Sequence, residues 1–346
     1  PRAKRRKLNL FSLFMTHLEG YKKEAVRSPI FIVLEVICEL ILPLVMAKIV
    51  DEAIPAGDTG RIFLLGGAML LLSVLAMVFG VLSAKYATFA SQGFGANLRQ
   101  CLFDKIQSFS FADIDYFSSA SLVTRLTNDI TNVQNTLMGS LRMFTRTAVM
   151  LTGAVIMAVQ INAQLAMVTL FAIPVIFAVI MVILKKGLPY FEKMQKAIDG
   201  LNRRVQETVT NIRVIKSFVR EDHERKRFDF SADHLFDITV KASTLMITVG
   251  PVMMLVMNLT TIAALWLGAG QVTAGQMQIG DLMSYSTYIM HILMSLMMMS
   301  MTIMMFSRAR ASSERIKEVL AEDASITDKP EASHEPVREG KVEFRH

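Results

Sequence analysis

The chain has 346 residues, 52% of them hydrophobic and 19% charged, and its mean hydropathy is +0.41. Soluble globular domains average about 45–50% apolar and about 25% charged residues, so this composition favours a membrane protein over a soluble helical repeat. The formal net charge of +7 includes a basic cluster just before an apolar run, which makes lipid headgroups a better partner than nucleic acid.

Six apolar runs are spaced along the chain, and most have the roughly 17–25 residues that a helix needs to cross about 30 Å of hydrocarbon. Lysine and arginine are frequent before the first run and in the two long connectors, whereas Arg61 is the only basic residue in the short connectors. The positive-inside rule therefore predicts a cytoplasmic N-terminus. The runs lie at residues 30–50, 62–83, 143–159, 165–184, 246–267 and 282–306.

The first 28 residues are predicted to be a cytoplasmic tail and an elbow helix. Residues 8–18 place apolar side chains at helical spacing behind the basic cluster. This pattern is typical of an amphipathic helix that lies along the inner leaflet. We therefore expect its apolar face to rest on lipid.

The two long connectors, residues 85–142 and 185–241, are predicted to be helical. In the first one, apolar residues recur at helical spacing, for example at Phe94, Leu98 and Leu102. A helix that continues from the second span would protrude about 30 Å beyond the bilayer at 1.5 Å per residue. Structureless connectors of this length would be improbable in a compact protein.

Each helical pair must reverse direction at its tip, and residues 112–120 and 217–224 are suited to this because both mix aromatic and acidic side chains. Exposed aromatic side chains far from the membrane have little to bury against except a partner, which favours a docking role. Ordinary solvated turns are the alternative. The candidate docking residues are Ile114, Asp115, Tyr116 and Phe117 in the first tip and Phe218, Arg220 and Glu221 in the second.

Four motifs follow one another along the chain. Residues 114–129 (IDYFSSASLVTRLTND) and 205–221 (VQETVTNIRVIKSFVRE) resemble the two coupling regions of ABC exporters. Residues 279–285 (IGDLMSY) resemble the entry to the sixth helix of that family, and residues 311–316 (ASSERI) its exit toward the ATPase domain. The motifs are most similar to one half of the bacterial heterodimeric multidrug exporters. Ala120 stands where many homodimeric members carry glycine, which favours a heterodimer.

The resemblance implies an all-α membrane protein with six transmembrane helices, long cytoplasmic extensions and two coupling helices, domain-swapped with a partner half. It also implies alternating access, in which ATP closes two nucleotide-binding domains and the coupling segments transmit that closure to the helices. In this family the fourth and fifth helices cross to the partner half, so Phe218 and Glu221 are expected to contact the opposite ATPase domain. The implied domains are a tail and elbow helix at 1–28, a transmembrane domain at 29–310, a linker at 311–340 and the start of a nucleotide-binding domain at 341–346.

No G-x-x-x-x-G-K-[ST] loop for binding phosphates occurs in the sequence, although residues 341–346 (KVEFRH) resemble the first strand of a nucleotide-binding domain. Gly93 and Gly95 form the nearest glycine cluster, and we predict that they serve helix packing. ATP and Mg²⁺ are therefore expected to bind outside these residues, in a longer polypeptide, and no catalytic residue is predicted here.

Cys38 and Cys101 lack neighbours at metal-site spacing, so no metal site is expected.

Polar side chains inside the apolar runs are candidates for a substrate cavity because they are costly in lipid. Glu35 and Glu39 lie on one helix face, where two carboxyls either titrate upward or hold a cation. Similar depth in the membrane predicts that Glu39 meets His291. Bonds to a helix backbone are the alternative for the hydroxyl residues. The candidate cavity residues are Glu35, Glu39, Asn258, Ser284, Tyr288, His291 and Ser295.

The sequence thus predicts the transmembrane half of an ATP-driven exporter of amphipathic drugs, lipids or peptides, as a multi-pass protein of the bacterial plasma membrane. Its expected partners are a second exporter half, nucleotide-binding domains and membrane lipids, and no nucleic acid. Two alternatives stay open: a proton-coupled carrier or channel without an ATPase, which would use Glu35, Glu39 and His291, and a siderophore importer of the same fold.

Overall fold

The computed structural model describes residues 10–326 and 340–344, and within these ranges the chain forms helices and no β-strand. The prediction of an all-α membrane protein is therefore confirmed. The α-helices of the described residues are α1 (Leu10–His17), α2 (Lys22–Lys48), α3 (Thr59–Gln107), α4 (Phe111–Phe117), α5 (Ser119–Thr124), α6 (Ile130–Gly139), α7 (Thr145–Ile161), α8 (Ala163–Thr210), α9 (Ile212–Ser217), α10 (Glu221–Thr273) and α11 (Ile279–Ala321).

Six helical segments are long and apolar enough to cross a membrane, which confirms the six predicted spans. Helices α3, α8 and α10 contain 49, 48 and 53 residues. At 1.5 Å per residue each is roughly 70–80 Å long, more than twice the hydrocarbon thickness of about 30 Å. The predicted continuation of the helices beyond their apolar runs is therefore confirmed.

Three π-helical turns, Ile49–Ala53, Arg125–Asp129 and Ser140–Phe144, interrupt the α-helical hydrogen bonding. Periodicity did not predict them, because a π turn inserts one residue and leaves the apolar spacing on either side almost unchanged. Such turns occur frequently at functional sites. In the second one, both terminal charged side chains, Arg125 and Asp129, are buried.

The contacts divide the chain into two compact units. The first unit comprises residues 1–35, 77–146 and 299–346, and the second comprises residues 36–76 and 147–298. Helices α2, α3 and α11 each contribute residues to both units.

The core of the first unit is built on the apolar stripe of α3. Phe94, Leu98 and Leu102 are completely buried in a cluster that also takes in residues of α6 and α11. A Cβ atom at Gly93 would overlap the ring of Tyr21, and one at Gly95 would overlap the Gln134 side chain. The prediction that these two glycines serve helix packing is therefore confirmed.

The elbow helix forms as α1, but its apolar face packs on protein. Leu13, Phe14 and Leu18 are all buried, and the Phe14 ring meets the ring of Phe94 edge-on at a centroid distance of 5.4 Å. The prediction that this face rests on lipid is therefore wrong for Phe14 and Leu18. The stripe of α3 continues far enough along the helix to cover them, which the sequence of α1 alone does not reveal.

In the second unit, α8 and α10 pack along each other, and the start of α11 packs against the end of α2. The backbone N–H of Gly280 donates to Asp51 Oδ1 at 2.7 Å. A Cβ atom at Gly280 would lie 2.6 Å from the carbonyl oxygen of Ala47, so only glycine permits this approach. Asn162 caps the start of α8 by accepting from the backbone N–H of Leu165 at 3.1 Å.

Two predicted boundaries differ from the helices observed. Helix α2 already begins at Lys22, inside the predicted tail, and α11 continues to Ala321, inside the predicted linker. The residues between 311 and 321 include neither glycine nor proline, so nothing ends the helix earlier. Residues 340–344 have no regular secondary structure, and residues 327–339 and 345–346 of the predicted linker and strand lie outside the described residues. The strand stays a prediction.

Candidate coupling and transport sites

The first tip consists of α4 and α5, which meet at a sharp corner. The Ser110 hydroxyl accepts from the backbone N–H of Asp113 at 3.3 Å, and the Asp113 carboxylate accepts from the backbone N–H of Ser110 at 2.9 Å. This reciprocal capping box starts α4. Ser118 ends it with a φ of 60°, which is uncommon outside glycine and marks the corner.

Phe117 is buried, with 8% of its surface exposed, so the prediction that it is an exposed docking residue is wrong. Its ring stacks on that of Phe109 at a centroid distance of 5.8 Å, and the Arg125 guanidinium lies 5.1 Å from its centroid. Consecutive helical residues point about 100° apart. Because Phe117 faces inward, its neighbour Tyr116 points outward and is 74% exposed.

The other residues of the first tip divide between the two faces. Ile114 packs partly against the core of the first unit, whereas Asp115 is exposed as predicted. Phe111 was not among the predicted docking residues, yet it is the most exposed aromatic residue of α4. Its position immediately after the capping serine was the available signal, because the first residue of a short capped helix has few neighbours to cover it.

A cluster of charged residues joins the helix after the first tip to the end of α11, and we call it the Arg315 clamp. Asp129 accepts two hydrogen bonds from the Arg315 guanidinium, one of them from Nε at 2.8 Å. Arg125 donates to the backbone oxygen of Arg315 at 2.5 Å and pairs with Glu318 at 3.1 Å. Bidentate arginine–carboxylate pairs fix orientation as well as adding energy. Asp129 is 2% exposed, so this carboxylate depends on its partners.

The chain beyond α11 returns to the first tip. Asp113 Oδ2 accepts from the backbone N–H of Ser325 at 3.1 Å and from the hydroxyl of Ser325, also at 3.1 Å. The bond from the Ser325 backbone contributes most to lowering the pKa of the Asp113 carboxyl to about 2. The bond from the Ser325 hydroxyl and the bonds from Ser110 lower this pKa in the same way. Ser325, which lies within the predicted linker, is therefore held on α4.

The second tip is much more exposed. Between α9 and α10, Phe218 is 74% exposed and Val219 is 82% exposed. Val219 also has a φ of 51°, a true outlier for a β-branched residue. Arg220 is exposed, and Glu221 accepts from Lys216 Nζ at 2.9 Å. The exposure predicted for Phe218 and Arg220 is present.

Glu35 forms an ion pair with Arg146 in the first unit. The Glu35 side chain is largely buried, and a Cβ atom at Gly80 would lie 3.2 Å from its carboxylate. Sequence reasoning missed Arg146 because it falls inside the third apolar run. The signal was available, since Glu35 and Arg146 both lie within a few residues of the same end of their runs.

Two hydroxyl residues of α11 bind the backbone of α2 in the second unit. Ser284 Oγ donates to the carbonyl oxygen of Pro43 at 2.6 Å, and Tyr288 donates to that of Leu40 at 2.5 Å. Both side chains are buried. Proline has no N–H to continue the helical ladder, and hydroxyl groups of a neighbouring helix commonly bind the backbone near such a site. These contacts match the alternative given above for the hydroxyl residues, which is a bond to a helix backbone. The structure therefore shows Ser284 and Tyr288 bound to α2 rather than lining a cavity.

The remaining cavity candidates have mixed environments in the second unit. Ser295 is buried, Glu39 and His291 are half-buried, and Asn258 is exposed on α10. Tyr285 was not predicted as a site residue, although it is fully buried and its hydroxyl lies 2.7 Å from Thr169 Oγ1. The cavity roles of Glu39, His291, Ser295 and Asn258 stay predictions.

Comparison with known proteins agrees with this arrangement of helices. Residues 27–297 match the family described as the ABC transporter transmembrane region. The match covers most of the chain and includes both tips. This chain therefore belongs to the ABC transporter transmembrane family.

Similar relatives come from several bacteria. The chain is 36% identical over 332 residues to the uncharacterized ABC transporter ATP-binding protein YfiB of Bacillus subtilis, a match that covers 96% of this chain and 58% of the relative. It is 30% identical over 317 residues to an uncharacterized ABC transporter ATP-binding protein of Mycobacterium tuberculosis, with 92% and 54% covered. A fatty acid ABC transporter ATP-binding/permease protein of the same species is 28% identical over 254 residues, with 72% and 39% covered. The chain thus spans about half the length of the curated relatives it matches.

Proposed function

We propose that this chain is the transmembrane half of an ATP-driven exporter that moves amphipathic molecules by alternating access. The observation that carries the proposal is the exposure of two aromatic side chains, Tyr116 and Phe218, at the tips of helices that continue beyond the apolar runs. Exposed aromatic anchors at such positions are suited to docking a further domain. Family membership supports this class over a proton-coupled carrier or channel.

ATP has no fitting site in these residues. The sequence contains no G-x-x-x-x-G-K-[ST] loop, and the relatives named as ATP-binding are longer than this chain. We place the ATP and Mg²⁺ sites in the part of those relatives that this chain does not match. The role of this chain is then to receive a movement at its tips rather than to hydrolyse nucleotide.

The proposed substrates are amphipathic drugs, lipids or peptides. The M. tuberculosis relative named for fatty acids supports a lipid-like class. The proposed path includes Glu39 and His291, with Ser295 and Asn258 along it. Exporter direction and a bacterial plasma membrane with the N-terminus in the cytoplasm complete the proposal, and a siderophore importer of the same fold is the second candidate.

The proposed working unit contains two such halves. Long helical extensions with exposed apolar side chains, such as Val209 and Phe228, support a partner half that covers them. Ala120 at the first tip favours a heterodimer. Purification of differently tagged copies tests this: a homodimer would recover both tags from one preparation of this chain alone, which would contradict the heterodimer.

The coupling role is tested in the full-length transporter reconstituted into liposomes with a panel of amphipathic dyes. Phe218→Ala and Tyr116→Ala are each expected to retain ATP hydrolysis and to lower ATP-dependent dye transport by tenfold or more. Phe236→Ala is the matched control, because it removes an equally large exposed ring from α10 away from the tip. Transport at the unmodified rate in both tip variants would refute the docking role, and dye movement driven by a proton gradient without ATP would favour the carrier.

The proposed path has its own test. Glu39→Gln removes a carboxylate from the first span while it keeps the shape of the side chain. We expect transport of cationic dyes to fall and transport of neutral dyes to persist. An unchanged rate and pH profile for the cationic dyes would remove Glu39 from the path.

A further inference from the structure

A groove of about 740 Å³ lies between α8 and α10 in the second unit, just beyond the fourth and fifth apolar runs. It is separate from the tips and from the proposed cavity residues. Each helix contributes one face, because the lining residues recur at spacings of three and four. They are Tyr190, Lys193, Lys196, Ala197, Gly200, Leu201 and Arg204 on α8, and Phe230, Ser231, His234, Ile238 and Lys241 on α10.

The groove is strongly cationic. Lys193, Lys196, Arg204 and Lys241 line it, together with His234, and none of its lining residues is acidic. Within the described residues, no carboxylate lies at ion-pair distance from these four cations. Gathering like charges in one groove is unfavourable unless a counter-charge is supplied. The groove is therefore arranged to hold an anion.

The walls between the cations are apolar and aromatic. The Lys193 ammonium lies 5.5 Å from the centroid of the Tyr190 ring, and Phe230, which is 77% exposed, lines the groove farther from the membrane. A Cβ atom at Gly200 would meet no other atom within 4 Å, so the floor is open at that point. A ligand with an anionic head and an apolar body matches these surfaces better than a small inorganic ion does.

The position of the groove indicates where such a ligand comes from. Tyr190 lies six residues beyond the fourth apolar run, and Lys241 lies five residues before the fifth. At 1.5 Å per residue, both are about 8–9 Å beyond the hydrocarbon, so this end of the groove is close to the layer of lipid headgroups, whereas Gly200 and Phe230 lie about 24 Å beyond the hydrocarbon. Basic pockets between membrane helices at this depth bind the headgroups of anionic lipids.

We propose that this groove binds the phosphate headgroup of an anionic phospholipid drawn from the adjacent leaflet. Lys193 and Lys241 meet the phosphate at the membrane end, and Lys196 and Arg204 extend the positive potential along the groove. Tyr190, the groove residue of α8 nearest the membrane, packs on the glycerol end of the lipid. The proposal depends on the membrane position of α8 and α10 and not on the direction or substrate of transport.

The first test places the protein in nanodiscs of phosphatidylcholine with increasing phosphatidylglycerol and counts tightly bound lipids by native mass spectrometry. Replacing three groove lysines together, as Lys193→Gln, Lys196→Gln and Lys241→Gln, is expected to weaken phosphatidylglycerol binding by roughly fivefold for each lysine, on the order of 100-fold in total. The matched control is Lys185→Gln with Lys186→Gln, two exposed lysines on the same helix nearer the membrane and outside the groove. An equal loss in the control would show general attraction to the membrane surface and overturn the proposal.

The second test fills the groove without changing its charge. Gly200→Leu has open space for its side chain and raises helix propensity, so the variant is expected to fold. Because Gly200 lies about 24 Å beyond the hydrocarbon and the phosphate binds at the membrane end, this variant is expected to keep its tightly bound phosphatidylglycerol. Loss of that lipid in Gly200→Leu would place the ligand deep in the groove and overturn the proposal.

A third arm separates a lipid from a free anion. Inorganic phosphate at millimolar concentration is added to the phosphatidylglycerol nanodiscs. The proposal predicts that the lipid stays bound, because its apolar body contributes to affinity. Release of the lipid by inorganic phosphate would identify a site for small soluble anions and reject the phospholipid.

Discussion

The two tips of this protein look alike in sequence and differ in how they are packed. In the first tip, Phe117 is buried against Phe109, the Arg315 clamp holds the following helix, and Asp113 binds Ser325 beyond α11. In the second tip, Phe218 and Val219 are both exposed, and the neighbouring ion pair of Lys216 with Glu221 is itself exposed.

The difference shows that one pattern, an aromatic residue among acids at a helix reversal, corresponds to two physical situations. The first tip completes its packing within its own chain and leaves Tyr116 outside. The second tip leaves its largest side chain and a backbone outlier at Val219 exposed together. We infer that the second tip gains more from a docked partner than the first.

The largest difference between the tips is expected from removing one aromatic ring from each. Phe117→Ala leaves a cavity beside Phe109 and is expected to lower the free energy of unfolding by about 3 kcal/mol. Phe218→Ala removes no buried contact and is expected to change it by less than about 0.5 kcal/mol. Detergent-induced unfolding followed by circular dichroism measures both. Equal losses would mean that the second tip is packed like the first.

The Arg315 clamp is expected to contribute the next largest effect. Asp129→Ala leaves Arg315 without its carboxylate and is expected to cost about 2 kcal/mol, less than a fully buried pair because the arginine is half-exposed. Combining it with Arg315→Ala tests whether the two effects are coupled. The control is Arg310→Ala, which removes an exposed ion pair with Glu314 on the same helix and is expected to change stability by less than about 1 kcal/mol. Additive losses would disprove the clamp.

The contact between Asp113 and Ser325 predicts a pH dependence confined to the first tip. The folded pKa of Asp113, about 2, lies below its ordinary value of 3.8, so the contact is complete above about pH 4 and is lost as the pH falls through about 2. Spin labels at Ala112→Cys and Ile326→Cys are expected to separate over this range. Asp113→Asn should separate them already at pH 7, and unchanged distances in that variant would contradict the assignment.

The smallest effect is expected at the ion pair of the second tip. Lys216 and Glu221 are both exposed, so Lys216→Ala is expected to change the free energy of unfolding by less than about 1 kcal/mol, and less at high salt. The same unfolding assay measures it at two salt concentrations. A loss comparable to that of Asp129→Ala would show that the second tip is held by charge and would remove the contrast between the tips.

Much of the fold could be predicted because hydrophobicity and period are local properties. The six apolar runs predicted six spans, and the recurrence of Phe94, Leu98 and Leu102 predicted the buried stripe of α3. Residues 311–321 contain neither glycine nor proline, which indicated that α11 continues, although the predicted boundary did not use this information.

The site was harder to predict, since its contacts join residues that are far apart in the chain. Asp129 and Arg315 are separated by 186 positions, and Glu35 and Arg146 by 111. Each of these residues was visible in a motif or a span, but no pattern in one sequence pairs them. The inward turn of Phe117 likewise depends on the corner at Ser118, a backbone conformation that residue type does not specify.

The sequence by itself determined the number of spans, the length of the extensions and the family to which the coupling motifs point, because each of these depends on composition and spacing within one segment. Only the tertiary structure decided which aromatic residue of each tip is exposed, which carboxylates are paired, and that the hydroxyls of Ser284 and Tyr288 bind the backbone of α2. Those outcomes depend on which helix faces meet, and a helix presents every one of its faces equally until a neighbour covers one.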